Sequence, residues 1–307
     1  MRQTRTSADV CDTTASPPEA DMTGSPRDVA EVPKPAIVSL APPDVSLCAQ
    51  LRITGWLQGA PMPEKVAVVT GSSAGIGRSI AIAFAKKNYV VIANARHEDD
   101  RAKSLVSELQ QYSKRSTFVP GDLSSEIGAS EFCRVVARVV PKIDVLINNA
   151  GRTEPTSITS FNGKEWRSQF DANFFSAVFV TNGLLTLVQK CNGSIVNISS
   201  VRGLFDTGRE GVMAYSAAKA ALNSFTKTLA KALAPNVTVN AILPGFTVTT
   251  YLERAPAEQV AVWKESSAIQ RFIEPGEIAD ITVSVAENRA MTGSLVLVDG
   301  GLALRRG

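Results

Sequence analysis

From Lys65 onward, short β-branched runs alternate with helical stretches, and this alternation restricts the fold more than any other feature of the chain. The runs "KVAVVT" (65–70), "VVIANA" (90–95), "DVLIN" (144–148), "SIVNIS" (194–199), "VTVNAIL" (237–243) and "SLVLV" (294–298) are almost continuously apolar. Continuity, rather than in–out alternation, is the mark of parallel strands covered on both faces. A weaker strand is expected at 116–119, and helical patterns span 76–87, 101–113, 126–140, 165–190, 214–234 and 275–287. This order predicts one α/β domain, a mainly parallel sheet of about seven strands with helices on both faces. Such a sheet takes ligands beyond the carboxyl ends of its strands, where the strand order reverses.

The first strand runs straight into "TGSSAGIGR", residues 70–78. Gly71, Gly75 and Gly77 let the backbone turn sharply and approach a ligand closely. The helix that follows offers unpaired N–H groups and the positive end of its dipole, which suits a pyrophosphate. Strand before and amphipathic helix after is the context that gives a glycine trio meaning, the alternative being a glycine-rich loop without a ligand. Ser73 and Ile76 share this turn.

A second feature is "AYSAAKAALNSF" (214–225), where Tyr215 and Lys219 are four residues apart. On a helix they share a face. A tyrosine is a poor proton shuttle at neutral pH because its phenol titrates near pH 10. A neighbouring ammonium favours the phenolate and lowers that value, so Tyr215 becomes able to give a proton to a carbonyl oxygen or take one from an alcohol. Taken alone, such a pair is equally a packed surface pair.

The turn has the spacing TGxxxGxG, and it resembles the cofactor loop of the short-chain dehydrogenases/reductases. The resemblance extends in order through "NNAG" (148–151), Asn173, Ser200, the YxxxK of Tyr215 and Lys219, "PGFTVT" (244–249) and "VDGG" (298–301), covering about residues 64–301. It implies a Rossmann-like, doubly wound α/β fold and the single-domain, 3-oxoacyl thioester reductase-like branch. It implies that Tyr215 is the general acid/base and that Lys219 also binds the nicotinamide ribose. Ser200 would hydrogen-bond the substrate oxygen, and Asn173 would maintain a proton-relay water. Asn149, Ala150 and Gly151 would pass the cofactor, Asp122 and Leu123 would lie at the adenine, and Thr249, after Pro244 and Gly245, would contact the carboxamide. Without the resemblance, Asn173 is a solvated or capping residue, Ser199 and Ser200 end a strand, and Asp122 is a turn or N-cap aspartate. Fourteen residues separate Ser200 from Tyr215, where the family has about twelve. The extra length falls in a glycine-bearing loop and is expected to alter the pocket wall through Phe205 or Arg209.

Cofactor choice is decided at the end of the second strand, "IANARHEDD". An acid there binds the ribose 2′-hydroxyl of NAD, and an arginine accommodates the 2′-phosphate of NADP. Asn94 stands in place of the acid and Arg96 follows, so NADP(H) is expected over NAD(H). Arg78 is a second cation within reach by sequence, while Glu98, Asp99 and Asp100 suit the start of the next helix. The segment 246–274 falls where the family keeps its substrate loop, with Phe246, Tyr251, Leu252 and Trp263 either lining a pocket or packing a lid. Substrates of the implied class are small carbonyl or alcohol compounds, 3-oxoacyl thioesters first. A sugar, polyol or steroid alcohol dehydrogenase and a non-catalytic cofactor-binding regulator are the rivals.

Composition narrows the rest. A net charge of +3 gives no case for nucleic acid, and no run of 18 apolar residues argues for a membrane span. Four scattered cysteines and a single histidine, His97, leave no disulfide framework and no metal set, and fit a reducing, cytoplasmic compartment. His97 reads as an exposed loop residue. Residues 1–61 read as a disordered extension to a catalytic domain at 62–307: the first 63 residues hold 9 of the 16 prolines and Trp56 as their one aromatic. The extension has no apolar core of a secretory signal and too many acids for a transit peptide. It is a spacer, an over-long start upstream of Met62, or a partner-binding tail through 45–57. The family resemblance implies a homodimer or homotetramer.

Overall fold

In the computed structural model, residues 64–249, 252 and 256–304 are described. The expected extension at 1–61 and the proposed lining residue Tyr251 lie outside them. Strands and helices alternate as β1 (Val66–Val69), α1 (Gly75–Lys86), β2 (Val90–Ala93), α2 (Asp100–Tyr112), β3 (Thr117–Phe118), α3 (Glu126–Val139) and β4 (Val145–Asn148). The chain continues with α4 (Gly163–Phe170), a π-turn (Asp171–Phe175), α5 (Ser176–Gln189), β5 (Ser194–Ile198), a 3₁₀ turn (Val201–Gly203) and α6 (Met213–Leu233). It closes with β6 (Thr238–Pro244), α7 (Ala257–Glu265), α8 (Pro275–Glu287) and β7 (Leu295–Val298).

The seven strands form one sheet in the order β3-β2-β1-β4-β5-β6-β7, and every pairing is parallel. This is the Rossmann-like, doubly wound α/β architecture expected from the sequence. Alternate residues of β1 feed two separate cores, as the strand period of two requires. Ala67 and Val69 pack with Ile80 and Phe84 of α1, Leu105 and Leu109 of α2 and Ile278 of α8. Val66 and Val68 pack with Phe132 and Val136 of α3 and Val180 and Leu184 of α5. Both faces of β1 are therefore apolar, which is why the strand reads "VAVV" without alternation. The helical stretch Gly163–Gln189 is long and apolar enough to cross a membrane, yet half of its apolar window is buried, and α5 supplies part of this second core.

The expected helix at 165–190 is broken by the π-turn. Asn173 sits in that turn and its Nδ2 donates to the carbonyl of Gln169 at 2.9 Å. That carbonyl is the acceptor a regular helix would offer to the Asn173 backbone N–H, so side-chain competition accompanies the widened turn. Strand order reverses between β1 and β4, and the loops that follow these two strands part there to leave a crevice.

Candidate active site

The crevice opens into a cleft of about 500 Å³ at the carboxyl ends of β1, β4, β5 and β6. Its floor is the glycine turn, whose main-chain groups are held by the side chains of Thr70, Asn94 and Asn149. The Thr70 hydroxyl donates to the Ile147 carbonyl and accepts the N–H groups of Asn149 and Ala150, both within 3.0 Å. Asn149 Nδ2 donates to the carbonyls of Thr70 and Gly71 at 3.0 and 2.9 Å. Gly71 has φ of +61°, and a Cβ there would lie 2.7 Å from the Ala150 Cα. At Gly77 a Cβ would lie 2.3 Å from Asn149 Nδ2 and 2.5 Å from the Gly71 carbonyl oxygen. Close approach thus fixes both glycines. The helix that follows, α1, has no side-chain cap and no acid in its first turn. Its N-terminal N–H groups meet the cleft at Gly75, Ile76 and Gly77, with Ser73 beside them, which fits an anionic diphosphate.

Asn94, standing where an acid would bind a ribose, is a tie rather than an open ligand. Its Oδ1 accepts from Gly71 N at 3.3 Å and its Nδ2 donates to the carbonyls of Val119 and Gly121. It joins the ends of β1, β2 and β3. Arg96 is exposed just beyond it. Arg78 is engaged with α2: its guanidinium pairs with Glu108 at 2.8 Å and donates to the Arg101 carbonyl at 3.3 Å. Asp99 caps α2 by accepting from Ala102 N, as the acids after Arg96 were expected to do.

Asp122 accepts from the Ser124 backbone and hydroxyl, a turn geometry. Burial pushes its carboxyl up, but the Ser124 bonds and the nearby positive charge of Arg96 hold it below the usual value. Leu123 is buried in the core, and Ala150 packs at its margin. Arg96, Asp122, Leu123 and Ala150 do not line the central cleft. His97 is exposed.

Ser200, Tyr215, Lys219 and Asn173 meet at the other end of the cleft. Lys219 is 4% exposed, and its Nζ donates to the Ile198 carbonyl at 2.9 Å. Burial pulls its ammonium down from 10.5 to about 8. Nζ lies 5.8 Å from the centroid of the half-buried Tyr215 ring. The Ser199 hydroxyl donates to the Lys219 carbonyl, whereas the Ser200 hydroxyl accepts from Arg202 N and keeps its own proton to donate. Asn173 grips the chain after β4: Nδ2 donates to the Arg152 carbonyl at 2.8 Å and Oδ1 accepts Arg152 N at 3.1 Å. Beside it, a Cβ on Gly151 would lie 2.6 Å from Asn173 Oδ1. A phenol, a hydroxyl and a buried cation along one cleft can polarise a carbonyl and transfer one proton to it.

Pro244, Gly245 and Thr249 line the cleft after β6. Gly245 packs flat on the last turn of the fold, its missing Cβ 2.6 Å from the Asp299 carbonyl. Phe246 and Leu252 line the wall, while Trp263 stands behind it, stacked on Phe246 at 5.1 Å. Of the two residues expected to reshape the wall, Arg209 lines it and Phe205 projects wholly into solvent. Sequence reasoning missed Arg152, Glu154 and Arg202, which also line the cleft, and the tying roles of Thr70 and Asn94. Thr70, directly before the first glycine, carried a usable signal; the wall cations belong to loops and carried none. Among the described residues, no group of three His, Cys, Asp or Glu side chains could hold a metal.

Comparison with known proteins agrees with this geometry. Residues 65–260 match the short chain dehydrogenase family. The chain is 36% identical over 243 residues to a 3-oxoacyl-[acyl-carrier-protein] reductase, FabG, of Aquifex aeolicus, covering 78% of this chain and 97% of that one. It is 34% identical to the 3-oxoacyl-[acyl-carrier-protein] reductase of Synechocystis, covering 79% of this chain and 98% of the other. Among solved structures it resembles the Pseudomonas aeruginosa RhlG/NADP active-site complex, with a TM-score of 0.72 and 29% identity over 78% of this chain and 96% of that chain.

Proposed function

The chain belongs to the short-chain dehydrogenase family and is an oxidoreductase acting on carbonyl or hydroxyl groups, and from that premise we propose that it is an NADPH-dependent reductase of 3-oxoacyl thioesters or closely similar ketones. The observation that carries this reading is the buried Lys219, on the same helix face as Tyr215 and bonded to the end of β5 beside Ser200. When bound, a nicotinamide would supply the hydride for the carbonyl carbon. Tyr215 donates its phenolic proton to the carbonyl oxygen as negative charge grows there. Ser200 donates a hydrogen bond to the same oxygen and stabilises that charge. Lys219 favours the phenolate left on Tyr215, and Asn173 supports the relay that returns the proton. The α1 N-terminus and the turn at Gly71, Ser73, Gly75, Ile76 and Gly77 hold the diphosphate. Arg96 would hold the 2′-phosphate, which its planar, many-donor guanidinium suits. Asp122, Leu123, Asn149, Ala150, Gly151, Pro244, Gly245 and Thr249 complete the cofactor groove, with Leu123 and Ala150 acting through their backbone.

The test is the rate of NADPH oxidation, with NADH in parallel, against acetoacetyl thioester and a panel of ketones and sugars. Thioester turnover with a clear NADPH preference is expected. Turnover confined to alcohols or sugars with NAD would replace this reading with the oxidative one. The catalytic unit is residues 62–307, so deleting 1–61 is expected to leave kcat intact. Assembly as a homodimer or homotetramer is part of the reading, supported by the partly open β7 edge, where Leu297 is 44% exposed. Light scattering of the purified protein checks it.

A further inference from the structure

One wall of the cleft is a layered column of four side chains drawn from three separate segments. The Arg209 guanidinium carbon lies 5.4 Å from the Trp263 ring centroid, Trp263 stacks on Phe246 at 5.1 Å and 16°, and the Arg202 guanidinium carbon lies 5.4 Å from the Phe246 ring. Arg202 and Arg209 come from the loop after β5, Phe246 from the loop after β6, and Trp263 from α7. Guanidinium groups stack on aromatic faces because both are flat and the ring face is electron-rich. The column therefore fixes two cations on the substrate side of the cleft, away from the glycine turn.

The cleft has an unbalanced charge. Among the described residues its charged lining is Arg152, Glu154, Arg202, Arg209 and Lys219, four cations to one anion. Three of the cations have hydrogen-bond partners within the fold. Lys219 donates to the Ile198 carbonyl, Arg152 to the Ser168 hydroxyl, and Arg202 to the Thr207 carbonyl. Arg209 differs, because its Nε is buried with no hydrogen-bond partner. An unpaired buried donor is costly unless something completes it. A guanidinium held face-on to a tryptophan keeps its donor edge free for a planar, two-oxygen anion.

We infer that Arg209 is a specificity residue for a ketone that carries an anionic group, a carboxylate or a phosphate, besides its reacting carbonyl. The inference rests on the reductase reading and narrows its substrate class. A carboxylate would belong to a free keto acid. A phosphate would belong to the phosphopantetheine arm of a thioester.

Two matched pairs distinguish these sources: acetoacetate against methyl acetoacetate, and acetoacetyl-phosphopantetheine against acetoacetyl-pantetheine. Each is measured by NADPH oxidation for kcat/KM, and by calorimetric Kd on the protein with NADP⁺, so that binding is read without turnover. At least one pair is expected to favour its anionic member by about tenfold or more, and Arg209→Gln should erase most of that ratio through KM, with Arg209→Lys keeping part of it. Preference in the first pair alone assigns the carboxylate, and in the second alone the phosphate. No preference in either pair, an equal loss for both members in Arg209→Gln, or a weakened NADPH Kd in place of a weakened ketone Kd would overturn it. Should Arg209→Gln fail to fold, the wild-type protein still decides. KM for the anionic member should rise several-fold between about 20 and 300 mM salt while the neutral member stays flat, and a flat response for both refutes the inference. If no ketone is reduced at all, the reductase reading falls, and the calorimetric ratio alone judges Arg209.

Discussion

The two ends of the cleft are built by different means. At the glycine turn, Thr70, Asn94 and Asn149 bind main-chain groups, and a single added carbon at Gly77 would strike Asn149. At the opposite wall, Arg202, Phe246, Trp263 and Arg209 hold one another by stacking, and they are carried by a 3₁₀ turn, two loops and α7. The first end is specified by shape at sub-ångström tolerance, as a fixed cofactor requires. The second is specified by side-chain chemistry that can be exchanged without moving the chain. The residues proposed to be catalytic sit on the seam between them, on a helix, a π-turn and a strand end.

The largest expected effect tests that seam. Tyr215→Phe should lower kcat by about a thousandfold, on the order of 4 kcal/mol of barrier, with NADPH affinity kept. Retained turnover in a rate assay would remove Tyr215 from the mechanism. Next is the seam's buried cation. Burial holds the Lys219 ammonium at about 8 against 10.5. Between those values the unfolded chain binds a proton that the folded protein lacks. The charged-state penalty is therefore fully present below pH 8, and folding stability gains about 3 kcal/mol as pH rises from 8 toward 10.5. Urea unfolding at several pH values should show that slope in the wild type and not in Lys219→Met.

Gly77→Ala should cost about 2 kcal/mol of stability and weaken NADPH, because the new methyl meets Asn149 and a carbonyl. Thermal melts with and without cofactor check both parts. Arg96→Ala should weaken NADPH by about tenfold, near 1.4 kcal/mol, and NADH hardly at all. Equal weakening in a titration would end the 2′-phosphate assignment. The smallest change is expected of Phe246→Leu at the exchangeable wall, about 1 kcal/mol or less in stability and a few-fold in ketone KM. If it instead impaired NADPH binding as Gly77→Ala does, the contrast between the two ends would collapse.

That contrast also explains what could be read beforehand. Strand and helix positions were legible because burial on both sheet faces writes itself as continuous apolar runs such as residues 66–69 and 90–93. The glycine turn was legible because close backbone approach tolerates glycine alone. Tyr215 and Lys219 were placed by helical spacing and family order. The break in the helix at Asp171–Phe175 was not legible, since the Asn173 amide that competes for the Gln169 carbonyl is also held by the Arg152 carbonyl, 21 residues back in the chain. The ion pair of Arg78 was not legible, because its partner, Glu108, lies 30 residues away on α2. The stacked wall left no periodic trace, since its members come from three loops and helices joined only in space.

Gly203 closes the 3₁₀ turn that starts just after Ser200, and a Cβ there would lie 2.6 Å from the Lys219 carbonyl carbon. The turn is thus pressed onto α6 at the lysine itself. At its far end the loop is clasped again, where Val212 pairs with Thr156. Between these clasps Thr207, whose carbonyl accepts from Arg202, and Gly211, whose carbonyl accepts from Thr156, tie residues 204–211 back, so exchanging the rest of the loop is expected to leave the separation of Ser200 from Tyr215 unchanged. On the reductase reading, the loop would serve as an exchangeable cassette, through which an engineer would change the choice of ketone while the proposed proton-transfer residues keep their alignment.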